Sequence, residues 1–398
     1  MTDQILSEDA MYKIRTYNKI DQAGMDRLPS DFSVVEDDDY DGIILRSYKM
    51  SEAEITEKLA AVARAGAGVN NIPVQLYTEK GIVVFNTPGA NANAVKEMVI
   101  LGALISSRRV FDGIEWVQSL KDTDADTAKE VENQKAQFTG PELLGKSMGV
   151  VGLGAVGVRV ANIFTSMGMN VFGYDPYISI ENAWGLSQSV SRAGSIEWIF
   201  ENCDYVSIHV PFIDATKEFV NAEMLSRAKD GIRVLNFARG ELVNDDAMAE
   251  AVKSGKVSVY VTDFPNSKLL GIENIIPIPH LGASTPEAET NCAIMAADQV
   301  ADYLQNGNIV NSVNYPACSL GVMTHKTRIT LTHKNIPNMV GQITTILAND
   351  SINISDMINK SRDEYAYTML DLDDSINDEV YSQLKSIEGV LKVRILNK

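Results

Sequence analysis

The sequence predicts an α/β protein with two parallel, doubly wound sheets and a smaller C-terminal unit. Three observations lead to this prediction. Apolar strands alternate with helix-like segments over most of the chain, a glycine-rich turn joins one strand directly to a helix, and the pattern changes near the C-terminus to strand, helix, two strands, helix and strand. Such alternation is typical of parallel sheets covered by helices. A chain of 398 residues has room for two or three domains.

The first block of the chain runs from Tyr12 to about Pro88 and lacks a glycine-rich turn of its own. Apolar strands are predicted at Gly42–Leu45 and Ile82–Phe85, and a helix is predicted over Ser51–Ala65. We interpret this block as the first of the two α/β domains.

A glycine-rich turn marks the second α/β domain. The predicted strand Met148–Val151 leads into Gly152-Leu153-Gly154-Ala155-Val156-Gly157 and then into a helix-like segment. In a dinucleotide-binding βαβ unit of the Rossmann type, the positions of Gly152, Gly154 and Gly157 allow a tight turn, close approach of the backbone to a pyrophosphate, and packing of helix on strand. The amides that open the helix would face the phosphates.

An acidic residue follows the second strand of this unit. The strand Met169–Tyr174 is predicted to end just before Asp175. A carboxylate there would accept hydrogen bonds from the adenosine ribose and would repel a 2′-phosphate. The sequence therefore predicts that NAD is bound in preference to NADP.

The same domain continues with further strands. They are predicted at Asp204–His209, Ile232–Phe237, Val257–Val261 and Asn274–Ile278. After a linker, a ferredoxin-like βαββαβ order is predicted, which is too short for a second enzyme and favours a regulatory module. Its strands are Lys326–His333, Ile352–Met357, Ala366–Leu372 and Leu391–Leu396, and its helices begin at Met339 and Asp378.

Composition narrows the classes of function. The chain carries 35 basic and 53 acidic side chains, a net charge of −18 that disfavours binding to nucleic acid or to an anionic membrane. An anionic substrate would need a local basic pocket. Cys203, Cys292 and Cys318 are widely spaced, so neither a disulfide framework nor a metal site is predicted. We expect neither a signal peptide nor a membrane span, and therefore a cytoplasmic location.

Motifs along nearly the whole chain resemble the D-3-phosphoglycerate dehydrogenase family of D-2-hydroxyacid dehydrogenases, in the short form with a C-terminal ACT domain. Besides the glycine turn, they are Leu45–Ser47, Arg64–Ile72, Phe85–Met98, Val206–Phe212, Asn236–Val243, Ile278–Thr285 and Asn311–Pro316. The resemblance implies a substrate-binding domain from residues 11–91 and 284–316, an NAD-binding domain from residues 92–283, and an ACT regulatory domain from residues 323–398. It also implies NAD-dependent oxidation of 3-phospho-D-glycerate to 3-phosphohydroxypyruvate, the first step of serine biosynthesis.

Hydride transfer between NAD and a 2-hydroxy acid needs a group that exchanges a proton with the substrate oxygen and a fixed cation that orients the carboxylate. His280 and Arg239 each follow an apolar strand, so both should lie at the carboxyl edge of the sheet, where ligands of this architecture bind. They also match the family's catalytic acid and carboxylate-binding positions. His209 should lie near the cofactor without a proton to move.

The resemblance implies two further sets of ligands. The cofactor-binding residues would be Gly152, Gly154, Ala155, Val156, Gly157, Asp175, His209, Ala238, Asp263, Gly282 and Ala283. The phosphate and carboxylate of the substrate would meet arginines, whose planar forks suit phosphate, and the amides of a small-residue loop. These residues are Arg46, Ser47, Arg64, Ala67, Gly68 and Val69.

One departure from the family pattern concerns the partner of the catalytic histidine. The family has a glutamate after the strand that ends near Asp263, and this glutamate raises the pKa of the histidine. Here Ser267 or Lys268 stands at its position, depending on the alignment, and Glu273 belongs to a later segment. The third catalytic role therefore stays unassigned.

The C-terminal unit carries the family's serine-effector pattern at His333, Asn335 and Asn353. L-serine as a feedback inhibitor is one prediction, and a dimerisation module without a ligand is the alternative. For the whole chain the alternatives are a dehydrogenase of another 2-hydroxy acid, such as glycerate or lactate, and an NAD-sensing binding protein similar to corepressors. The resemblance also implies a homodimer or homotetramer.

Overall fold

The computed structural model describes residues 12–123 and 126–398. The chain forms two compact units: residues up to Asn91 together with Pro286–Lys398 make the first, and Ala92–Thr285 make the second. The first eleven residues, where we predicted that no signal peptide occurs and where the predicted substrate-binding domain begins, lie outside the described part. Each unit is described separately.

The first unit begins with a five-stranded sheet whose strands are all parallel, in the order β2-β1-β3-β4-β5. The strands are β1 (Tyr12–Tyr17), β2 (Phe32–Val35), β3 (Gly42–Leu45), β4 (Ala61–Arg64) and β5 (Val83–Phe85). Two short helices, α1 (Gln22–Met25) and α2 (Val74–Glu79), and a 3₁₀ turn at Glu52–Glu54 lie between them. The predicted α/β character of this block is confirmed.

The predicted helix over Ser51–Ala65 is wrong. Only the 3₁₀ turn Glu52–Glu54 is helical there, and Ala61–Arg64 is the strand β4, hydrogen-bonded between β3 and β5. Ala61, Val62 and Ala63 are fully buried because the strand is covered on both faces. A strand buried on both faces does not alternate between apolar and polar residues, so its pattern cannot be told from that of a buried helix.

The second unit contains a seven-stranded parallel sheet in the order β12-β11-β10-β9-β6-β7-β8. Its strands are β6 (Ser147–Val151), β7 (Asn170–Tyr174), β8 (Ser191–Arg192), β9 (Tyr205–Ile208), β10 (Ile232–Asn236), β11 (Val257–Thr262) and β12 (Ile275–Pro277). The chain leaves β6 toward β7 on one side and later returns to β9 on the other. The order reverses beside β6, which is where ligands bind in sheets of this kind.

Helices cover both faces of this sheet. They are α3 (Ala92–Ser107), α4 (Val110–Ser119), α5 (Thr127–Gln134), α6 (Ala155–Ser166), α7 (Ile180–Gly185), α8 (Ile196–Asn202), α9 (Ala222–Arg227) and α10 (Asp245–Lys253), with 3₁₀ turns at Leu120–Asp122, Lys135–Phe138, Asp214–Thr216 and Gly240–Leu242. Two apolar cores, one on each face, bury the sheet. Polar caps set several helix starts: Ser195, Asn221 and Asn244 each accept a backbone N–H from the first turn of the helix that follows. The predicted doubly wound parallel sheet is confirmed.

The first unit resumes with the long helix α11 (Pro286–Asn306) and ends in an antiparallel sheet of order β14-β15-β13-β16. The elements are β13 (Thr327–Lys334), α12 (Met339–Asn349), β14 (Ile354–Arg362), β15 (Tyr365–Leu372), α13 (Asp378–Ser386) and β16 (Val390–Asn397). This is the predicted βαββαβ order, although β14 extends well beyond its predicted end at Met357.

The antiparallel sheet packs against the rest of the first unit. Helices α12 and α13 cover one of its faces. From the sheet, the fully buried Tyr367 donates from its hydroxyl to the carbonyl of Gly307 at 2.7 Å, and Arg394 donates to the carbonyl of Tyr303 at 3.0 Å. The buried Arg328 pairs with Asp371 of the same sheet and donates from Nη1 to the carbonyl of Asn306 at 2.8 Å. These contacts join the C-terminal sheet to α11 and to the segment that follows it.

Candidate active site

The glycine-rich turn between β6 and α6 has the shape of a dinucleotide cradle. Gly152 adopts φ 91°, and a Cβ on it would lie 2.7 Å from the backbone of His209. A Cβ on Gly157 would lie 1.9 Å from the carbonyl oxygen of Gly152, whereas one on Gly154 would meet no heavy atom of the described residues within 4 Å. Helix α6 begins directly after Gly154, so the amides of its first turn, on Ala155, Val156 and Gly157, follow this open position. These residues therefore fit a pyrophosphate.

Asp175 lies beside this turn, as predicted. It follows β7 directly, and its two carboxylate oxygens accept the N–H groups of Leu153 and Tyr177, each at 2.8 Å. The bond to Leu153 ties the carboxylate to the glycine turn. Each oxygen retains a further lone pair for a ribose hydroxyl.

His209 lies against the same turn. Its ring Nε2 lies 2.7 Å from the Ser207 hydroxyl, and its backbone N–H donates to the carbonyl of Val151 at 2.7 Å. Burial lowers the pKa of His209 to about 3. Burial therefore favours the neutral imidazole, and the expectation that His209 moves no proton stays a prediction.

Arg239 lies in the turn that follows β10, immediately before the 3₁₀ turn Gly240–Leu242. The side chain of Asn236 organises this turn, accepting the N–H of Ala238 at 3.2 Å and donating to the carbonyl of Arg239 at 2.9 Å. The guanidinium of Arg239 donates to the carbonyl of Ala238 at 2.7 Å. The sequence did not single out Asn236, although an amide at the end of a buried strand is the signal that could have found it.

His280 occupies an exposed loop after β12 in a left-handed conformation with φ 51°. Such a conformation is uncommon for a residue with a side chain and often occurs at functional sites. Its ring packs against Phe264, with centroids 4.8 Å apart. The loop is held by Asp263, whose buried carboxylate accepts the N–H groups of Leu281 at 2.7 Å and Gly282 at 2.8 Å.

Asp263 thus positions the histidine loop, in addition to its predicted role as a cofactor ligand. Burial raises the pKa of this carboxyl group, and the two N–H donors oppose the rise. Gly282 is required for this contact, because a Cβ there would lie 2.8 Å from Asp263 Oδ2. The predicted cofactor ligand Ala283 is the next residue of the same loop, and its carbonyl accepts the N–H of Thr285 at 3.0 Å.

The turn after β10 and the loop after β12 meet at one cavity. This cavity has a volume of about 630 Å³, and Gly240, Phe264, Asn266, His280 and Asp245 are among its lining residues. Arg239 directly precedes Gly240. The structure therefore brings the two predicted catalytic residues to the same edge of the parallel sheet.

Neither Ser267 nor Lys268, the two candidates for the position of the family glutamate, is a carboxylate. The side chain of Lys268 is directed toward Asp246. Its ammonium group pairs with Asp246 at 2.7 Å, while Glu273 forms an ion pair with Arg109 at 3.5 Å. The neighbouring Asn266 donates from Nδ2 to Asp245 at 2.7 Å. The ring of His280 packs against Phe264, a residue for which no role was predicted.

The predicted substrate residues come together in the first unit. Strands β3 and β4 are parallel neighbours, with Leu45 opposite Arg64, so Arg46, Ser47 and the loop after Arg64 lie at the same sheet edge. Arg64 donates from Nε to the carbonyl of Arg46 at 3.0 Å and also donates to the carbonyl of Gly68. Arg64 therefore also shapes the loop.

The surrounding contacts fix this loop. Asn86 donates to the carbonyl of Ala67 at 2.6 Å, and the carbonyl of Val69 accepts the N–H of Ile72 at 3.0 Å. The exposed guanidinium of Arg46 is paired with Glu289 on α11. The side chains and amides that were predicted to meet a phosphate and a carboxylate therefore form one cluster.

The three predicted effector residues do not form one cluster within a single chain. His333 ends β13 and is buried, with Nε2 2.8 Å from Thr368 Oγ1 and Nδ1 2.8 Å from the carbonyl of Lys334; burial lowers the pKa of its imidazole. Asn335 follows it and donates to the carbonyl of Asp363 at 3.1 Å. Asn353 precedes β14 at the opposite end of the sheet. The sequence could not reveal this separation, because it depends on strand direction.

The three cysteines are free and buried. Among the described residues, no group of three or more histidine, cysteine, aspartate or glutamate side chains could hold a metal ion. The helices of the described part include none that is long and apolar enough to cross a membrane.

Comparisons with known proteins point to one family. The family model described as D-isomer specific 2-hydroxyacid dehydrogenase, NAD binding domain, matches residues 107–282. D-3-phosphoglycerate dehydrogenase of Haemophilus influenzae is 30% identical over 375 residues, which cover 91% of this chain and 87% of that protein. The Synechocystis enzyme of the same name is 31% identical over 358 residues, covering 84% of this chain and 61% of that protein.

A solved structure agrees with these relatives. NAD+-bound 3-phosphoglycerate dehydrogenase from Entamoeba histolytica is 28% identical, with a TM-score of 0.60, and the match covers 76% of this chain and 98% of that one.

Proposed function

The chain belongs to the D-3-phosphoglycerate dehydrogenase family of D-2-hydroxyacid dehydrogenases, and on that premise we propose that it oxidises 3-phospho-D-glycerate to 3-phosphohydroxypyruvate with NAD. This reaction opens serine biosynthesis. The observation that carries the proposal is the meeting of the Arg239 turn and the His280 loop at one cavity, on a sheet whose glycine turn fits NAD.

The chemistry divides between the cofactor and two side chains. NAD supplies the acceptor for the hydride that leaves C2 of the substrate. His280, exposed in the cavity, takes the proton of the C2 hydroxyl and returns it in the reverse reaction. Arg239 binds the substrate carboxylate through its planar fork of donors and so orients C2.

The phosphate is proposed to meet the cluster in the first unit. Arg46 and Arg64 bring positive charge to a protein whose net charge is −18, and Ser47 lies next to the first of them. The backbone N–H groups of the loop Ala67–Val69 would donate hydrogen bonds to an anionic group of the substrate. A dehydrogenase for an unphosphorylated acid would not need this concentration of cations.

We further propose that the C-terminal sheet is an ACT domain that binds L-serine. The support is its βαββαβ order and its polar residues His333, Asn335 and Asn353. The last of these lies at the other end of a strand about eight residues long, roughly 25 Å away. A serine site that uses all three would therefore form between two copies of the chain. The alternative is a dimerisation module without a ligand.

A homodimer or homotetramer is supported by an apolar surface on α4. Val110, Phe111, Ile114 and Val117 are 45%, 54%, 53% and 41% exposed. Three of them, Val110, Ile114 and Val117, line a shallow groove of about 380 Å³ together with Trp116 and Phe138. A surface of this composition favours burial against another protein surface.

A cytoplasmic location is supported by the three unpaired thiols.

Two other functions are distinguished by the same assay. A dehydrogenase of another 2-hydroxy acid would keep His280 and Arg239 in their roles and change only the substrate. An NAD-sensing binding protein is favoured by one observation, the absence of a carboxylate from both candidate positions of the family glutamate, Ser267 and Lys268.

The first experiment is a steady-state assay with NAD and a panel of 3-phosphoglycerate, glycerate and lactate. We expect activity with the phosphorylated acid, and a loss of about a hundredfold or more in His280→Ala and in Arg239→Ala, because each removes a group that acts on the substrate. NAD affinity, measured by calorimetry, should change little. His325→Ala removes a histidine of the first unit and serves as the matched control. Near-normal turnover in either site variant would exclude the assignment.

The second experiment tests regulation. Calorimetry on the intact protein should detect L-serine, and serine should lower the rate by favouring one arrangement of the ACT domains. Asn353→Ala should weaken serine binding by roughly 1 to 3 kcal/mol without changing the rate in the absence of serine. No binding at millimolar serine would leave the dimerisation module as the function of this sheet.

A further inference from the structure

Asn236 is the last residue of β10 and is fully buried three positions before Arg239. Its side-chain Oδ1 accepts the N–H of Ala238 at 3.2 Å, and its Nδ2 donates to the carbonyl of Arg239 at 2.9 Å. Its backbone carbonyl accepts the N–H of Asp263 at 3.0 Å. One residue is therefore bonded to the turn that carries the substrate arginine and to the strand end that holds the histidine loop.

Tyr260, on the neighbouring strand β11, completes the environment of this amide. Asn236 Nδ2 lies 3.3 Å from the Tyr260 hydroxyl, and the tyrosine is 1% exposed. Burial raises the pKa of Tyr260 to about 12, so its hydroxyl is neutral. Both N–H groups of the amide thus have acceptors, and its oxygen has a donor. A side chain held at three points has one permitted orientation.

The chemistry of an amide is required at this position. The turn presents one backbone N–H and one backbone C=O to the side chain, so a residue that both donates and accepts is needed. An aspartate would place a charge against the carbonyl of Arg239, and a leucine would leave both backbone groups without partners in a buried place.

We infer that Asn236 is a positioning residue for substrate recognition: it acts through Arg239, by fixing the backbone from which the guanidinium reaches the carboxylate of a 2-hydroxy acid. The inference rests on the proposed function of Arg239. Displacement of a substrate-orienting group by about 1 Å can cost about a hundredfold in rate, so the turn has to be held to within a fraction of that distance.

The test is a double-mutant cycle between Asn236→Ala and Arg239→Ala, with kcat and KM for 3-phosphoglycerate and the Kd for NAD measured for each variant. Asn236→Ala alone should lower kcat/KM by at least about tenfold. In the Arg239→Ala background it should lower it by less than about threefold, because the arginine through which it acts is already absent. The Kd for NAD should be unchanged.

Asn314→Ala is the matched control. Asn314 is also buried, donates to Thr78 Oγ1 and to the carbonyl of Ile82, each at 2.9 Å, and accepts the N–H of Val84 at 2.9 Å, but it lies in the first unit. Its loss should lower the melting temperature and leave kcat/KM within about twofold. A general loss of stability would affect both variants alike and would not depend on Arg239.

The outcomes separate the inference from the proposed function. Full activity in Arg239→Ala would overturn the proposed site itself. Impaired Arg239→Ala with a fully additive or silent Asn236→Ala would overturn only the role of Asn236. If Asn236→Ala fails to fold, Tyr260→Phe takes its place in the cycle: it removes one acceptor from the amide, and an effect that disappears in the Arg239→Ala background supports the inference, whereas an additive effect or none overturns it.

Discussion

Replacement of Asp175 should change the choice between NAD and NADP, and the structure indicates by how much. The carboxylate is held at two points, by the N–H groups of Leu153 and Tyr177 at 2.8 Å each. A ribose hydroxyl would add a hydrogen bond to a charged acceptor, worth about 1.5 to 3 kcal/mol, which is roughly a ten- to hundredfold change in affinity for NAD. Asp175→Ala should weaken NAD binding by this factor.

The second part of the effect is electrostatic. Two unit charges about 5 Å apart repel by about 3 kcal/mol at an effective dielectric constant of about 20, and less where water has access. Asp175→Ala removes this repulsion from a 2′-phosphate. The ratio of kcat/KM with NAD to that with NADP should therefore fall by roughly a hundredfold or more.

A second variant separates the two parts. Asp175→Asn keeps an oxygen that can accept the N–H of Leu153 but loses the charge, so it should relieve the repulsion while retaining more NAD affinity than the alanine variant. Glu181→Gln removes an exposed acidic residue from the first turn of α7 and is the matched control. Binding of both cofactors by calorimetry and kcat/KM for both are the measurements. An unchanged NAD-to-NADP ratio in Asp175→Ala would refute the ribose assignment.

The remaining predictions concern stability. Arg328→Met should lower the unfolding free energy of the first unit by about 3 to 5 kcal/mol, because it removes the guanidinium that pairs with the buried carboxylate of Asp371. Arg227→Met breaks an exposed pair with Glu201 in the second unit and should cost at most about 1 kcal/mol. Scanning calorimetry distinguishes the two variants, and equal losses would contradict the reasoning. Burial and the nearby Arg394 lower the pKa of Lys392 to about 8 from its ordinary 10.5. Between these values the unfolded chain binds more protons, so relative to Lys392→Met the stability should rise with pH across this window, by at most about 3 kcal/mol. A flat difference between the two proteins in urea titrations at pH 7.5 and 10.5 would count against it.

Local sequence was sufficient to predict the features whose cause is local. Gly152 is required by its positive φ and Gly157 by its close approach to the carbonyl oxygen of Gly152, and both requirements arise within the turn itself. The position of Asp175 after β7 follows from the lengths of the helix and the strand that come after the glycine turn. The placement of the Arg239 turn and the His280 loop at one edge of the sheet follows from a general rule, that carboxyl ends of parallel strands share an edge.

The sequence was less informative where neighbours distant in the chain decide the structure. Ala61–Arg64 became a strand because β3 and β5 flank it, although its own residues also suit a buried helix. Arg64, predicted only as a substrate ligand, also donates to the carbonyls of Arg46 and Gly68. Asp263 also binds the amides of the histidine loop, a role that its position in the sequence did not indicate.

The sequence by itself therefore determined the two parallel sheets, the fingerprint for NAD and the placement of Arg239 and His280 after strands of one sheet, because strand periodicity, glycine conformations and strand ends are properties of short segments. Only the tertiary structure decided that Asn236 is held by Tyr260 and bonded to the arginine turn, that the ring of His280 packs against Phe264, and that His333 and Asn353 lie at opposite ends of a sheet. The physical reason is that a hydrogen bond or a ring contact requires two side chains to lie close together. The packing of different strands sets the distance between them, and neither segment alone contains that information.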